Sequence, residues 1–221
     1  MYKKKIISIK SYVLRCGKNI TLLHKYIIKK KFNKFKLNIN KYINFKQLFG
    51  FKKIVIDIGF GMGDSLINQA INNPNIIYIG IEVYLPGIIR IINILNKNNI
   101  KNVKIIIGDA VLILKKFFNN SIDNIQIFFP DPWPKIKHNK RRIIFLSGFI
   151  INIIRCLKKE GILHIVTDNK NYALKIINFL ENTKLYYIKK KNISRPITKY
   201  EQISKKLGNK IWEMIFYKYI Y

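Results

Sequence analysis

From residue 53 onward, short β-branched apolar runs alternate with longer amphipathic stretches. That alternation confines the chain to an α/β architecture, in which helices cross back over a sheet whose strands are covered on both faces. Runs at 54–58, 76–81, 103–107, 125–129 and 162–167 predict five parallel strands. Windows at 63–72, 85–98, 110–118, 139–157 and 170–181 predict the intervening helices, each about long enough for a crossover. Two further runs, 185–190 and 210–219, are joined by a polar loop with no obvious helix and predict an antiparallel hairpin at the sheet edge. The expectation is a Rossmann-like, mostly parallel seven-stranded sheet. Residues 1–50 are Lys-rich and weakly periodic, with 11–23 reading as a loop or short helix and 22–35 as a basic amphipathic stretch. They predict a basic arm or cap on a single globular unit, 51–221.

A chain of 221 residues buries enough surface to fold without staples. The uncharged apolar stretch 143–154 falls short of the ~20 residues that span a bilayer, and the basic N-terminus lacks the apolar core of a secretory signal. The expectation is a cytoplasmic protein with no membrane segment. Cys16 and Cys156, without a CxxC or a His cluster, predict neither a disulfide framework nor a metal site. Lys and Arg number 42 against 11 acids, a net charge of +31 that fits a polyanionic partner such as nucleic acid. Ile, Lys and Asn, however, make up 109 of the 221 residues while Arg appears 6 times, the skew of an AT-rich coding sequence. Charge alone therefore decides nothing, and the positions of the few acids carry more information.

After the first predicted strand comes Asp57-Ile-Gly59-Phe-Gly61-Met-Gly63, a turn in which glycines let the backbone approach a ligand closely. Its GxGxG spacing departs from the GxGxxG that seats a pyrophosphate, and suits a cofactor without phosphate whose amino and ribose groups want acceptors. The second strand ends in Glu82, placed to accept from ribose hydroxyls, and the third in Asp109, which can reach an adenine amino group or cap a helix. These three acids lie at the C-terminal ends of successive strands, where open α/β sheets bind ligands, and S-adenosylmethionine needs that set. The fourth strand runs into Pro130-Asp131-Pro132-Trp133-Pro134, a stiff turn presenting an acid beside an aromatic ring. A basic cluster follows with Lys135, Lys137, Lys140, Arg141 and Arg142, suited to phosphate contacts or simply to solvent.

Taken together, residues 57–63, Gly-Ile-Glu (80–82), Phe-Phe-Pro-Asp-Pro-Trp-Pro-Lys (128–135), His-Asn-Lys-Arg-Arg (138–142), Thr-Asp (167–168) and Arg-Pro-Ile-Thr-Lys-Tyr-Glu (195–201) closely resemble the bacterial tRNA (guanine-N7-)-methyltransferases. The resemblance runs from about Ser11 to the C-terminus, and the Pro-Asp-Pro-Trp segment is its specific part. It implies a class I S-adenosylmethionine-dependent methyltransferase fold acting on N7 of guanine 46 in the tRNA variable loop, with S-adenosylhomocysteine as product. It further implies that Asp57, Gly59, Gly61, Glu82, Asp109 and Asp131 hold the cofactor, with Asp131 also catalytic. Lys135, Asp168, Thr198, Lys199, Tyr200 and Glu201 would hold the guanine, and Lys137, His138, Asn139, Lys140, Arg141 and Arg142 the RNA. No metal is implied, and a monomer and a homodimer are equally compatible. Departures are small: the family usually has Glu where Asp57 stands, Phe at Tyr200 and often Arg at Lys137. Read without the resemblance, Thr167 and Asp168 fit a helix cap and Glu201 a surface acid.

Three other readings remain: a same-fold methyltransferase acting on another RNA base, a non-catalytic RNA-binding protein, and a dehydrogenase. The first is separable only by substrate mapping. The second has to explain acids at every expected position in an acid-poor chain. The third lacks both GxGxxG and a convincing catalytic His.

Overall fold

The computed structural model describes residues 10–12, 30–39, 41–188 and 193–219. Most of the expected basic arm, including 13–29, lies outside the described residues. Seven strands form one sheet in the order β3-β2-β1-β4-β5-β7-β6, with β1 Ile54–Ile58, β2 Ile77–Glu82, β3 Val103–Ile107, β4 Ile122–Phe128, β5 Leu157–Thr167, β6 Leu185–Tyr187 and β7 Trp212–Lys218. β1 to β5 pair in parallel, while β7 pairs antiparallel with both β5 and β6. The expected seven-stranded, mostly parallel sheet with antiparallel edge strands is present.

Side-chain alternation along the strands feeds two cores, one on each face. Ile54, Ile56 and Ile58 of β1 and Ile77, Ile79 and Ile81 of β2 join one core, with α4 (Ala110–Ile113), α5 (Phe149–Cys156) and α6 (Lys170–Glu181). Val55 and Tyr78 point the other way, into a core closed by α2 (Asp64–Asn72) and α3 (Leu85–Lys97). Residues 30–50 join these cores. Phe32 and Phe35 enter the second, while Leu37, Ile43 and Phe45, the last opening α1 (Phe45–Phe49), enter the first. Backbone bonds from Leu37 N to the Ile105 carbonyl and from Ile105 N to the Phe35 carbonyl tie this segment to the β3 edge.

Several expected elements differ: the helix expected over 110–118 is the short α4 followed by a 3-10 turn, Leu114–Lys116, and β4 starts at Ile122 rather than at 125. The single helix over 139–157 is instead two 3-10 helices, Ile136–Arg141 and Ile143–Phe145, followed by α5. Like charges four residues apart at Lys137 and Arg141 disfavour an α-helix there, and the Arg142 backbone leaves the helical basin at ψ 117°. Gly148, at φ 75°, opens α5 separately, and β5 then starts at Leu157, five residues before the expected strand. The polar loop before β7 contains α7 (Lys199–Lys206), started by an N-cap in which the Thr198 hydroxyl accepts from Glu201 N.

Candidate active site

The C-terminal ends of the parallel strands converge on one edge of the sheet. There the turn after β1 holds Gly59, Gly61 and Gly63 at φ 76°, 56° and 81°. Such values favour glycine, and a Cβ at Gly59 or Gly61 would project into open space. The Gly61 carbonyl sits 1.9 Å from where a Cβ on Gly87 would stand, so α3 can pack against the turn only with glycine there. Glu82 fastens the turn to β2: Oε2 accepts from Gly61 N at 2.8 Å, and Oε1 from Val83 N at 2.6 Å and Tyr84 N at 3.0 Å. Those bonds use three of the roughly four acceptor positions of a carboxylate. Asp57 lies beneath, 2% exposed, its carboxyl pushed up to about 7 by burial and then by the charge of Glu82. Asp109 caps α4, accepting from Val111 N at 2.9 Å.

The turn after β4 is strained and firmly held. Phe129 and Trp133 adopt φ 52° and 42°, a region costing about 1–3 kcal/mol per non-glycine residue. Arg142 Nε donates to the Pro132 carbonyl at 2.7 Å, with its guanidinium 5.0 Å from the Tyr172 ring centre. The Arg141 guanidinium lies 4.9 Å over the Trp133 ring, His138 meets that ring edge-on, and the indole Nε1 donates to the Ser11 carbonyl at 3.1 Å. Exposed Asp131 lines two adjoining cavities together with Glu82 and Tyr12. The smaller, of about 230 Å³, also touches Gly59 and Phe129. The larger, of about 690 Å³, touches Gly61, Tyr84, Trp133 and Tyr200.

Across the opening, Asp168 Oδ2 accepts from Ser204 Oγ at 2.6 Å and from the Tyr200 hydroxyl at 3.2 Å. The Tyr200 ring packs 5.0 Å from Phe129, and burial, then Asp168, then Asp131 hold its hydroxyl above the usual range. Asp131, Asp168 and Tyr200 are thus brought together. Thr198 and Glu201 instead serve α7. Glu201 is 3% exposed and bonded by Arg195 at 2.6 Å and Lys205 at 2.7 Å. Burial alone would raise its carboxyl, but these bonds outweigh burial and hold it below the usual range. Lys199 is largely exposed, 3.8 Å from Asp64.

The basic cluster divides in two. Lys135, Lys137 and Lys140 are exposed, and His138, Asn139 and Arg141 are half-buried. Arg142 is buried and faces inward, where it braces the turn rather than presenting a cation to solvent. Desolvation, then Lys137, Arg141, Lys135 and Lys140, lower the His138 imidazole below its ordinary value. Among the described residues no cluster of three His, Cys, Asp or Glu could hold a metal ion, and no helix is long and apolar enough to cross a membrane.

A family described as "Putative methyltransferase" matches residues 52–214. A tRNA (guanine-N(7)-)-methyltransferase of Legionella pneumophila (strain Paris) is 37% identical over 222 residues, covering 95% of this chain and 93% of that relative. The chain belongs to the tRNA (guanine-N(7)-)-methyltransferase family. A second tRNA (guanine-N(7)-)-methyltransferase, from Mannheimia succiniciproducens, is 35% identical over 227 residues, 98% of this chain and 89% of that relative. At the level of fold, a solved "putative methyltransferase from streptococcus mutans in complex with SAH" superposes with a TM-score of 0.52 at 16% identity, over 76% of this chain and 89% of that one. The fold of this tRNA (guanine-N(7)-)-methyltransferase family member is thus that of S-adenosylmethionine-dependent methyltransferases.

Sequence reasoning gave no site role to Tyr12, Tyr84, Phe129, Arg195 and Ser204, all of which line or brace the site. For Ser204 the signal was the Thr198-x-x-Glu201 pattern, which announces a helix that puts Ser204 one turn after Glu201. For Tyr12 and Tyr84 no local pattern exists, since tertiary folding alone carries them to the cavity.

Proposed function

We propose that the protein transfers a methyl group from S-adenosylmethionine to N7 of guanine 46 in the variable loop of tRNA. The observation that carries this is the convergence of Glu82, Asp131 and Tyr200 on one cavity, with Asp168 bonded to Tyr200 at its rim, in a chain whose relatives are tRNA (guanine-N(7)-)-methyltransferases. The residues present fit such a cofactor. Gly59 and Gly61 leave open space along the turn, and Glu82 and Asp131 bring carboxylates to both cavities where a cradle for phosphate would need donors, with Asp109 at the head of α4 and Asp57 buried beneath the turn.

Bound S-adenosylmethionine would supply a methyl carried on a positively charged sulfur. Guanine N7 has an unprotonated lone pair, so no side chain has to remove a proton before transfer. Asp131 and Asp168 would accept from the guanine's amino and N1 groups and favour the positive charge that grows on the ring. Tyr200, held on Phe129, would fix the base from its side, and Lys135 at the exposed rim would meet the nucleotide. Alignment of the two reactants is then the main source of acceleration. Lys137, Lys140 and Arg141, with His138 and Asn139 between them, would follow the tRNA backbone. Arg142 supports the turn that presents them.

The test is transfer of labelled methyl to unmodified tRNA transcripts carrying guanine or adenine at position 46. The expected result is label only on the guanine transcript, digesting to 7-methylguanosine. Label elsewhere, or none from folded protein that binds S-adenosylhomocysteine, refutes the assignment. Asp131→Asn should cut turnover far more than it weakens cofactor affinity, and full turnover in that variant removes Asp131 from the mechanism.

A further inference from the structure

One piece of the N-terminal region reaches the site. Ser11 and Tyr12 are half-buried, and the Trp133 indole donates to the Ser11 carbonyl across 122 positions of sequence. Ser11 and Tyr12 line the smaller cavity, and Tyr12 is shared with the larger one. Tyr12 lines both cavities together with Asp131 and Glu82, and burial and then the charge of Asp109 raise its hydroxyl. The Trp133 ring is otherwise committed, with Arg141 over its face and His138 at its edge, so its one N–H is the group left to hold the N-terminal segment.

We propose that Tyr12 is a cofactor-binding residue and that Trp133 is the positioning residue that keeps it there. The indole fixes the Ser11 carbonyl, and the adjacent phenol ring forms a wall of the pocket common to cofactor and base. Trp133 thereby has a use other than stacking on the target base. A tyrosine suits the task because its rigid ring covers a large ligand surface with few rotatable bonds to order. The inference rests on the S-adenosylmethionine reading of the pocket.

The experiment is calorimetric titration of S-adenosylhomocysteine into the full chain and into Tyr12→Ala, Tyr12→Phe, Trp133→Phe and the double variant Tyr12→Ala/Trp133→Phe. Tyr12→Ala should raise Kd about tenfold, or about 1.4 kcal/mol, while Tyr12→Phe, which keeps the ring, should stay within about twofold. Trp133→Phe keeps a ring but loses the N–H, so it should weaken binding by no more than Tyr12→Ala and speed amide exchange at residues 10–12. Because Trp133 acts through the segment that carries Tyr12, the double variant should bind like Tyr12→Ala alone. Wild-type affinity in Tyr12→Ala, or additive losses in the double variant, overturns the proposal while leaving the cofactor reading intact. A wild-type chain that does not bind S-adenosylhomocysteine overturns both. Should Trp133→Phe fail to fold, Tyr12→Ala against Tyr12→Phe still decides the matter.

Discussion

Asp57→Asn should make the protein more stable in alkali and leave it unchanged in acid. The carboxyl is buried beside Glu82 and is pushed from an ordinary 3.8 up to about 7. The folded state therefore holds a proton that the unfolded chain releases between those values, and stability falls as pH rises from about 4 to about 7, then levels off. About three units at 1.36 kcal/mol each give a ceiling near 4 kcal/mol. Asparagine imitates the protonated acid and abolishes the titration. Urea unfolding of both chains at half-unit steps from pH 3 to pH 8.5 isolates the effect, because groups away from Asp57 cancel in the difference. The two curves should coincide at the acid end and separate by up to about 4 kcal/mol at pH 8, with Asp57→Asn above wild type. Parallel curves would refute the reasoning, since they would mean that Asp57 ionises in the fold as easily as in the open chain.

The other expectations follow from how the charged side chains are divided. Lys140→Ala should reduce the slope of log affinity for tRNA against log salt by about one and leave folding within about 0.5 kcal/mol, read by filter binding and urea melts. Arg142→Ala should do the reverse, because it removes the brace on the Pro132 carbonyl: a loss of about 1–3 kcal/mol in stability with the salt slope unchanged. Arg195→Met leaves buried Glu201 with Lys205 alone and Glu213 with His164, and should cost about 3–5 kcal/mol at neutral pH. Both carboxyls are held below their usual range in the fold, so this stabilisation is present above that range and lost as pH falls through it. The deficit of Arg195→Met should therefore shrink in acid, and a deficit that persists below about pH 3 would argue against the ion pairs as its source.

Much of this was legible because β1 to β3 are short, largely buried and rich in β-branched residues, and because each ends at or runs straight into a glycine or an acid. Asp57, Glu82 and Asp109 could be placed from strand ends alone. Asp131 could be placed because three prolines fix its turn. What the sequence concealed were contacts between distant segments. Nothing near Ser11 signals a bond to Trp133, and nothing in the run Lys140-Arg141-Arg142 says that the third cation turns inward while the first stays in solvent. Helix α7 escaped notice because its surface is polar nearly all round, so hydrophobic periodicity carried no signal and only the Thr198 cap marked it.

The sheet order also has a consequence for how the protein is made. β6 leaves the ribosome before β7, yet β7 lies between β6 and β5 and is the strand to which both pair. Glu213, which gathers His164 of β5 and Arg195 ahead of α7, arrives with that same last strand. Until β7 emerges, the segment carrying Tyr200 and Ser204 can rest on Asp168 and Phe129, but Arg195 lacks its contact with Glu213. The growing chain can complete the glycine turn before β7 emerges, but the bracing of Arg195 by Glu213 waits for that strand. A stop codon just short of β7 would leave a chain with its glycine turn in place, β5 without its antiparallel neighbour and Arg195 without Glu213.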